Sequence, residues 1–110
     1  MEKIVWKNDI FNGVTVTKLH EMGGMKEIRI NLQKGSEMKE HQAPGEIMVQ
    51  VLSGKIEFSV KEDSATLNAL DMVSLKANVP HSLLALQDSI VRLSLSKNDD
   101  VSRVFKVLQK

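Results

Sequence analysis

The sequence has no cysteine and no tyrosine, and its 110 residues include only one Trp, three Phe and two Pro. Without cysteine there is no disulfide, no thiolate ligand and no thiol nucleophile, which fits a reducing compartment, so the cytoplasm is the expected location. An aromatic share of 4% leaves few platforms for stacked bases. An excess of either charge is missing too: 15 basic residues face 14 acidic ones, for a net charge of +1, and no stretch concentrates the basic ones. A nucleic-acid partner is therefore not expected. Long apolar runs are also absent. Glu2, Lys3, Lys7, Asp9 and Lys18 break up the start of the chain, and no later run approaches the ~20 residues of a membrane span, so neither a signal peptide nor a membrane partner is expected.

The sequence does supply an apolar share of 42%, drawn mainly from Val, Ile, Leu and six Met. A chain this short buries about two thirds of its unfolded surface, enough for one core. A single domain over residues 1–110 is expected.

The apolar residues come in short alternating segments. Val14 and Val16 alternate with Thr15 and Thr17; after Gly23-Gly24, Ile28, Ile30 and Leu32 alternate with Arg29 and Asn31. This period of two is a strand signal. Residues 47–52 are apolar at nearly every position, Ser53-Gly54 turns the chain, and Ile56, Phe58 and Val60 then alternate with polar residues, which predicts a hairpin. A polar turn over residues 61–64 leads to apolar pieces at 65–67, 72–75, 82–86 and 90–95. Strands at this spacing predict an all-β sandwich or barrel. The end differs: Asn98-Asp99-Asp100 offers an N-cap, and Val101, Val104, Phe105 and Leu108 fall at helical spacing, predicting a short C-terminal helix.

The stretch at residues 35–54, GSEMKEHQAPGEIMVQVLSG, resembles the first cupin motif. That motif runs from a Gly to a His-x-His pair, on to a Glu, and ends at a Gly. Gly35, His41 and Gly54 keep its frame, whereas Ala43 stands at the second His position and Ile47 at the Glu position. Residues 70–85, LDMVSLKANVPHSLLA, are similar to the second motif. Asp71, Pro80 and His81 match it, while Leu70, Lys76, Asn78 and Ala85 replace the expected Gly, Pro, Gly and Asn.

The resemblance implies a cupin double-stranded β-helix, a jelly-roll-like barrel with His41 and His81 pointing inward. In metal-binding members these positions help hold iron, manganese, nickel or zinc. A complete site uses three His and one Glu, so a degenerate or absent metal site is expected here. Glu46 is a possible third ligand, but strand parity turns it to the face opposite Ile47 unless Pro44-Gly45 is bulged. His20 has no motif support and is expected at the surface.

The same parity puts Val49 and Val51 on the face of Ile47, and Leu83 and Ala85 on that of His81. The candidate ligand site is therefore His41, His81, Ala43, Ile47, Val49, Leu83 and Ala85: two imidazoles in an apolar wall. The leading expectation is a module that binds a small molecule in the barrel, with the two histidines as polar anchors. The alternative is a metal-dependent enzyme of dioxygenase or isomerase type using His41 and His81, or a metal-free acid–base catalyst. Cupin epimerases of the metal-free plan commonly pair His with Tyr, which is missing here. A third reading is assembly. Residues 47–52 are apolar on both faces, and a homodimer would cover the outward Met48 and Leu52.

Overall fold

The alternating segments become nine strands in a computed structural model that describes residues 1–96. They are β1 (Val14–Met22), β2 (Met25–Leu32), β3 (Glu37–His41), β4 (Ile47–Ser53), β5 (Lys55–Val60), β6 (Asp63–Asn68), β7 (Met72–Leu75), β8 (His81–Ala85) and β9 (Ser89–Ser96). All pairings are antiparallel, in a five-stranded sheet ordered β1-β2-β9-β4-β7 and a four-stranded sheet ordered β3-β8-β5-β6. The chain passes from sheet to sheet, winding into a double-stranded β-helix. The C-terminal helix expected over residues 98–108 lies outside the described residues. Among the described residues, no helix is long and apolar enough to cross a membrane.

The core is where the two inner faces meet. One sheet contributes Ile28, Ile30 and Leu32 from β2, Ile47, Val49 and Val51 from β4, and Val91, Leu93 and Leu95 from β9. Met38, Ile56, Phe58, Leu67, Leu83 and Ala85 face them from the other sheet. Full burial of one such large aliphatic side chain is worth roughly 1.5–3 kcal/mol.

The predicted hairpin at Ser53-Gly54 is not formed. β4 pairs with β7 and β9, whereas β5 pairs with β6 and β8, so this turn is a corner between sheets. Gly54 makes the corner with a φ of +89°, a conformation that side-chain-bearing residues rarely adopt. Of the hairpins that do form, the one joining β1 and β2 turns through Gly23-Gly24. Both have positive φ, as the type I′ turn favoured between twisted strands requires.

The chain before β1 covers the outer face of β2. Asn31 Nδ2 donates to the carbonyls of Asn8 (2.8 Å) and Ile10 (3.2 Å), and Arg29 Nε donates to Asn31 Oδ1 (2.9 Å). Arg29 and Asn31 are consequently buried, although they lie on the polar side of the alternation, and their hydrogen bonds compensate the lost water.

Candidate functional site

β3 and β8 run side by side with His41 and His81 directly opposite each other. Their ring centroids lie 4.3 Å apart with the planes tilted by 60°. This pairing depends on an irregularity. Met38 is opposite Leu83 and His41 is opposite His81, so β3 spends one residue more than β8 between the two pairs. In a regular strand, Met38 and His41 would face opposite sides, because they are three positions apart, an odd offset. The bulge turns both into the barrel, a re-aiming that such irregularities produce beside functional sites.

Each ring is tied to its own backbone. His41 Nδ1 donates to the Lys39 carbonyl (2.7 Å), and His81 Nδ1 to the Val79 carbonyl (2.9 Å). A carbonyl only accepts, so each Nδ1 carries a proton, and Nε2 is the basic nitrogen of the neutral ring. Phe58 stacks on His81, with centroids 5.5 Å apart and planes within 15°. His81 is buried, whereas His41 is partly exposed and sits at the mouth.

Little space remains between these groups. The interior cavity is about 20 Å³, bounded by both histidines together with Met38, Val49, Phe58 and Leu83 among others. That is room for about one water molecule. Of the residues expected to line a site, His41, His81, Val49 and Leu83 border the cavity. Ala43, Ile47 and Ala85 are buried on the expected face but do not border it. Ala85 instead joins strand to loop through its backbone, donating to Ser36 (2.9 Å) and accepting from Gly35 (2.8 Å). Phe58 and Met38 were missed. Phe58 was readable from the alternation of β5, but Met38 depends on the bulge, which has no sequence signature.

Glu46 is exposed and borders a cleft on the outer face with Met25, Met48 and Ser74. Among the described residues, no group of three or more His, Cys, Asp or Glu side chains could hold a metal ion. Iron, manganese, nickel and zinc sites generally draw three or four donors from the protein. The described donor set, two imidazoles, does not fit such a metal.

A second polar centre lies on the outer face of the five-stranded sheet. Glu27 Oε1 accepts from Arg92 Nε (2.8 Å) and from Ser94 Oγ (2.6 Å). Burial pushes the Glu27 carboxyl up, but the hydrogen bonds from Arg92 and Ser94 and the Arg92 charge together outweigh it, so it sits below the ordinary carboxylate value. The Glu27 hydrogen bond in turn raises Arg92. His20 lies on this side, away from the barrel interior, with Nδ1 3.8 Å from Glu2.

No curated protein matches the chain. Among solved structures, a conserved protein of unknown function from Streptococcus pyogenes is 20% identical with a TM-score of 0.72, covering 91% of this chain and 98% of that one. A cupin superfamily protein from Desulfitobacterium hafniense is 13% identical with a TM-score of 0.74, covering 82% and 83%. A cupin family protein with a double-stranded β-helix fold from Methanocaldococcus jannaschii is 14% identical with a TM-score of 0.73, covering 87% and 90%. At these identities the likeness establishes the fold alone. The sequence itself matches the cupin domain over residues 28–96, and since that is more than half of its length, the chain belongs to the cupin domain family.

Proposed function

We propose that this cupin is a small-molecule-binding protein that takes the polar end of its ligand at the His41–His81 pair, without a tightly held metal. The observation that carries this reading is the pair itself: two imidazoles 4.3 Å apart, on directly opposed residues, in an otherwise apolar interior. Because each ring is already fixed by its Nδ1 bond, little side-chain freedom is lost on binding.

The cavity volume limits the ligand. Sites for drug-sized molecules run to roughly 300–1,000 Å³, whereas about 20 Å³ holds only a hydroxyl or one end of a carboxylate. The rest of the ligand then lies at the mouth beside His41, or displaces Met38, whose unbranched side chain re-packs readily. The small volume also favours a second reading, in which the pair is a packed core element and the barrel serves assembly.

The test is NMR of the histidine rings during titration with small carboxylic acids, diols and sugars, alongside metal analysis by plasma mass spectrometry. The expected result is saturable shifts at both rings with one ligand class, abolished in His81→Gln. If neither ring responds to any class and His41→Ala/His81→Ala alters stability alone, the core reading replaces this one. Metal near one per chain that disappears in that double variant would overturn the metal-free reading in favour of the metal-dependent enzyme.

A further inference from the structure

Among the described residues, clefts outside the barrel are larger than its interior. Between the chain before β1 and the outer face of the five-stranded sheet lies a groove of about 440 Å³, bounded by Ile4, Trp6, His20, Glu27, Leu52 and Arg92. Its volume is within the ordinary range for a small-molecule site, roughly 300–1,000 Å³, which the barrel interior is not.

The groove has a polar floor and apolar walls. On the floor, Arg92 and Glu27 are linked through Nε and Oε1, and Ser94 donates to the same oxygen. Neither bond uses the terminal guanidinium nitrogens of Arg92 or Oε2 of Glu27. A planar pair of N–H donors therefore stands beside a carboxylate acceptor. Trp6 provides one wall, with its ring centroid 6.0 Å from the Arg92 guanidinium carbon, and Ile4 and Leu52 add aliphatic surface.

The position of His20 gives an independent indication that this face is shaped. A register irregularity between Lys18 and His20 places His20, not Leu19, opposite Glu27. Directly opposed residues share a face, so the extra residue brings an imidazole to the groove and moves a leucine from it.

We propose that this groove binds a small zwitterion of the α-amino-acid type that carries an apolar side group. Its carboxylate meets the terminal nitrogens of Arg92 in the two-point geometry that guanidinium favours. Its ammonium meets Glu27, and its side group packs on Trp6, Ile4 and Leu52. Adjacent opposite charges on the protein match adjacent opposite charges on the ligand, whereas a simple acid or amine matches only one. The site is separate from the His41–His81 pair and does not rest on its function.

Trp6 is the only tryptophan in the sequence, so its fluorescence reports the groove directly. The experiment titrates the full chain with L-phenylalanine, L-leucine, phenylacetate and phenethylamine, following Trp6 emission and heat by calorimetry. Both amino acids should bind saturably, with L-phenylalanine at least tenfold tighter than phenylacetate or phenethylamine. Arg92→Gln should weaken it at least tenfold. Leu52→Phe, which narrows the groove without touching the ion pair, should also weaken it. His41→Ala/His81→Ala should bind as the wild type does. The proposal is overturned if neither amino acid binds, if acid or amine binds as tightly as the zwitterion, or if a folded Leu52→Phe protein binds L-phenylalanine unchanged.

Discussion

Gly54 and Ser89 are packed so closely that a Cβ on Gly54 would stand 2.7 Å from Ser89 Cα, as well as against Ser89 Oγ and the Asp88 carbonyl. The obstacle is largely backbone, and the φ of Gly54 is +89°. Ser89 cannot easily withdraw: it is fully buried, its Oγ accepts from Lys55 N (3.0 Å) and donates to the Gln87 carbonyl (2.8 Å). Gly54→Ala combines left-handed strain with overpacking, and a loss of roughly 3 kcal/mol is expected. Urea denaturation of the variant checks this; a loss below about 1 kcal/mol would show that the corner relaxes.

Leu70 occupies a position where the second cupin motif expects Gly, and its φ is +77°. The left-handed region costs a residue with a Cβ about 1–2 kcal/mol, and the side chain recovers little, being 72% exposed. Leu70→Gly should therefore stabilise the fold by up to about 1 kcal/mol after glycine's own entropic cost. Thermal unfolding should show a rise of a few degrees; a fall would mean that the exposed leucine makes a contact worth more than its strain.

The carboxyl of Glu27 lies below its ordinary value of 4.5, so the folded state favours its ionised form. Its contribution is present above that value and is lost as the pH falls through it towards the lower folded value. The Glu27 hydrogen bond raises Arg92 above its ordinary value, so it stays charged throughout this window. Wild-type stability should therefore fall more steeply between about pH 5 and pH 3 than that of Glu27→Gln. Denaturation midpoints at several pH values measure the difference, and parallel curves would remove Glu27 from the acid response.

Homodimer formation through the β4–β7 side of the outer face of the five-stranded sheet is a further expectation. Met48 and Met72 lie on neighbouring strands at the β4–β7 side of that face, 40% and 55% exposed, whereas Leu52, expected from the sequence to join them, lines the groove beside Trp6 instead. Light scattering after size-exclusion chromatography should give twice the chain mass. Met48→Lys/Met72→Lys should restore one chain mass with the fold intact by circular dichroism. An unchanged dimer in that variant would put the interface elsewhere.

The fold was legible where one physical constraint decided the pattern. The alternation of Ile28, Ile30 and Leu32, and that of Ile56 and Phe58, records burial on one face, and both sets are in the core. Ser53-Gly54 was misread because a positive-φ glycine serves a hairpin and an inter-sheet corner equally well; the choice rests on contacts with Ser89, far away in sequence. The histidine pair was readable from two separate motif positions, and strand parity correctly placed Val49 with Ile47 and Leu83 with His81. The narrowness of the interior was not readable, because it follows from Met38 and Phe58 converging on one point. Nor was the burial of Arg29 and Asn31, which depends on where residues 8–10 lie.

Both extra residues, the one before His41 and the one before His20, change which side of a sheet a histidine serves without altering any histidine. The chemistry of this barrel is thus encoded partly in spacing. Deleting a single codon from either segment would exchange an imidazole for its neighbour on the working face, while leaving the amino-acid composition almost untouched. Relatives that differ by one residue of length in β1 or β3 could hold the same side chains and present different surfaces, so alignments of this fold should treat a one-residue gap in these strands as a functional difference.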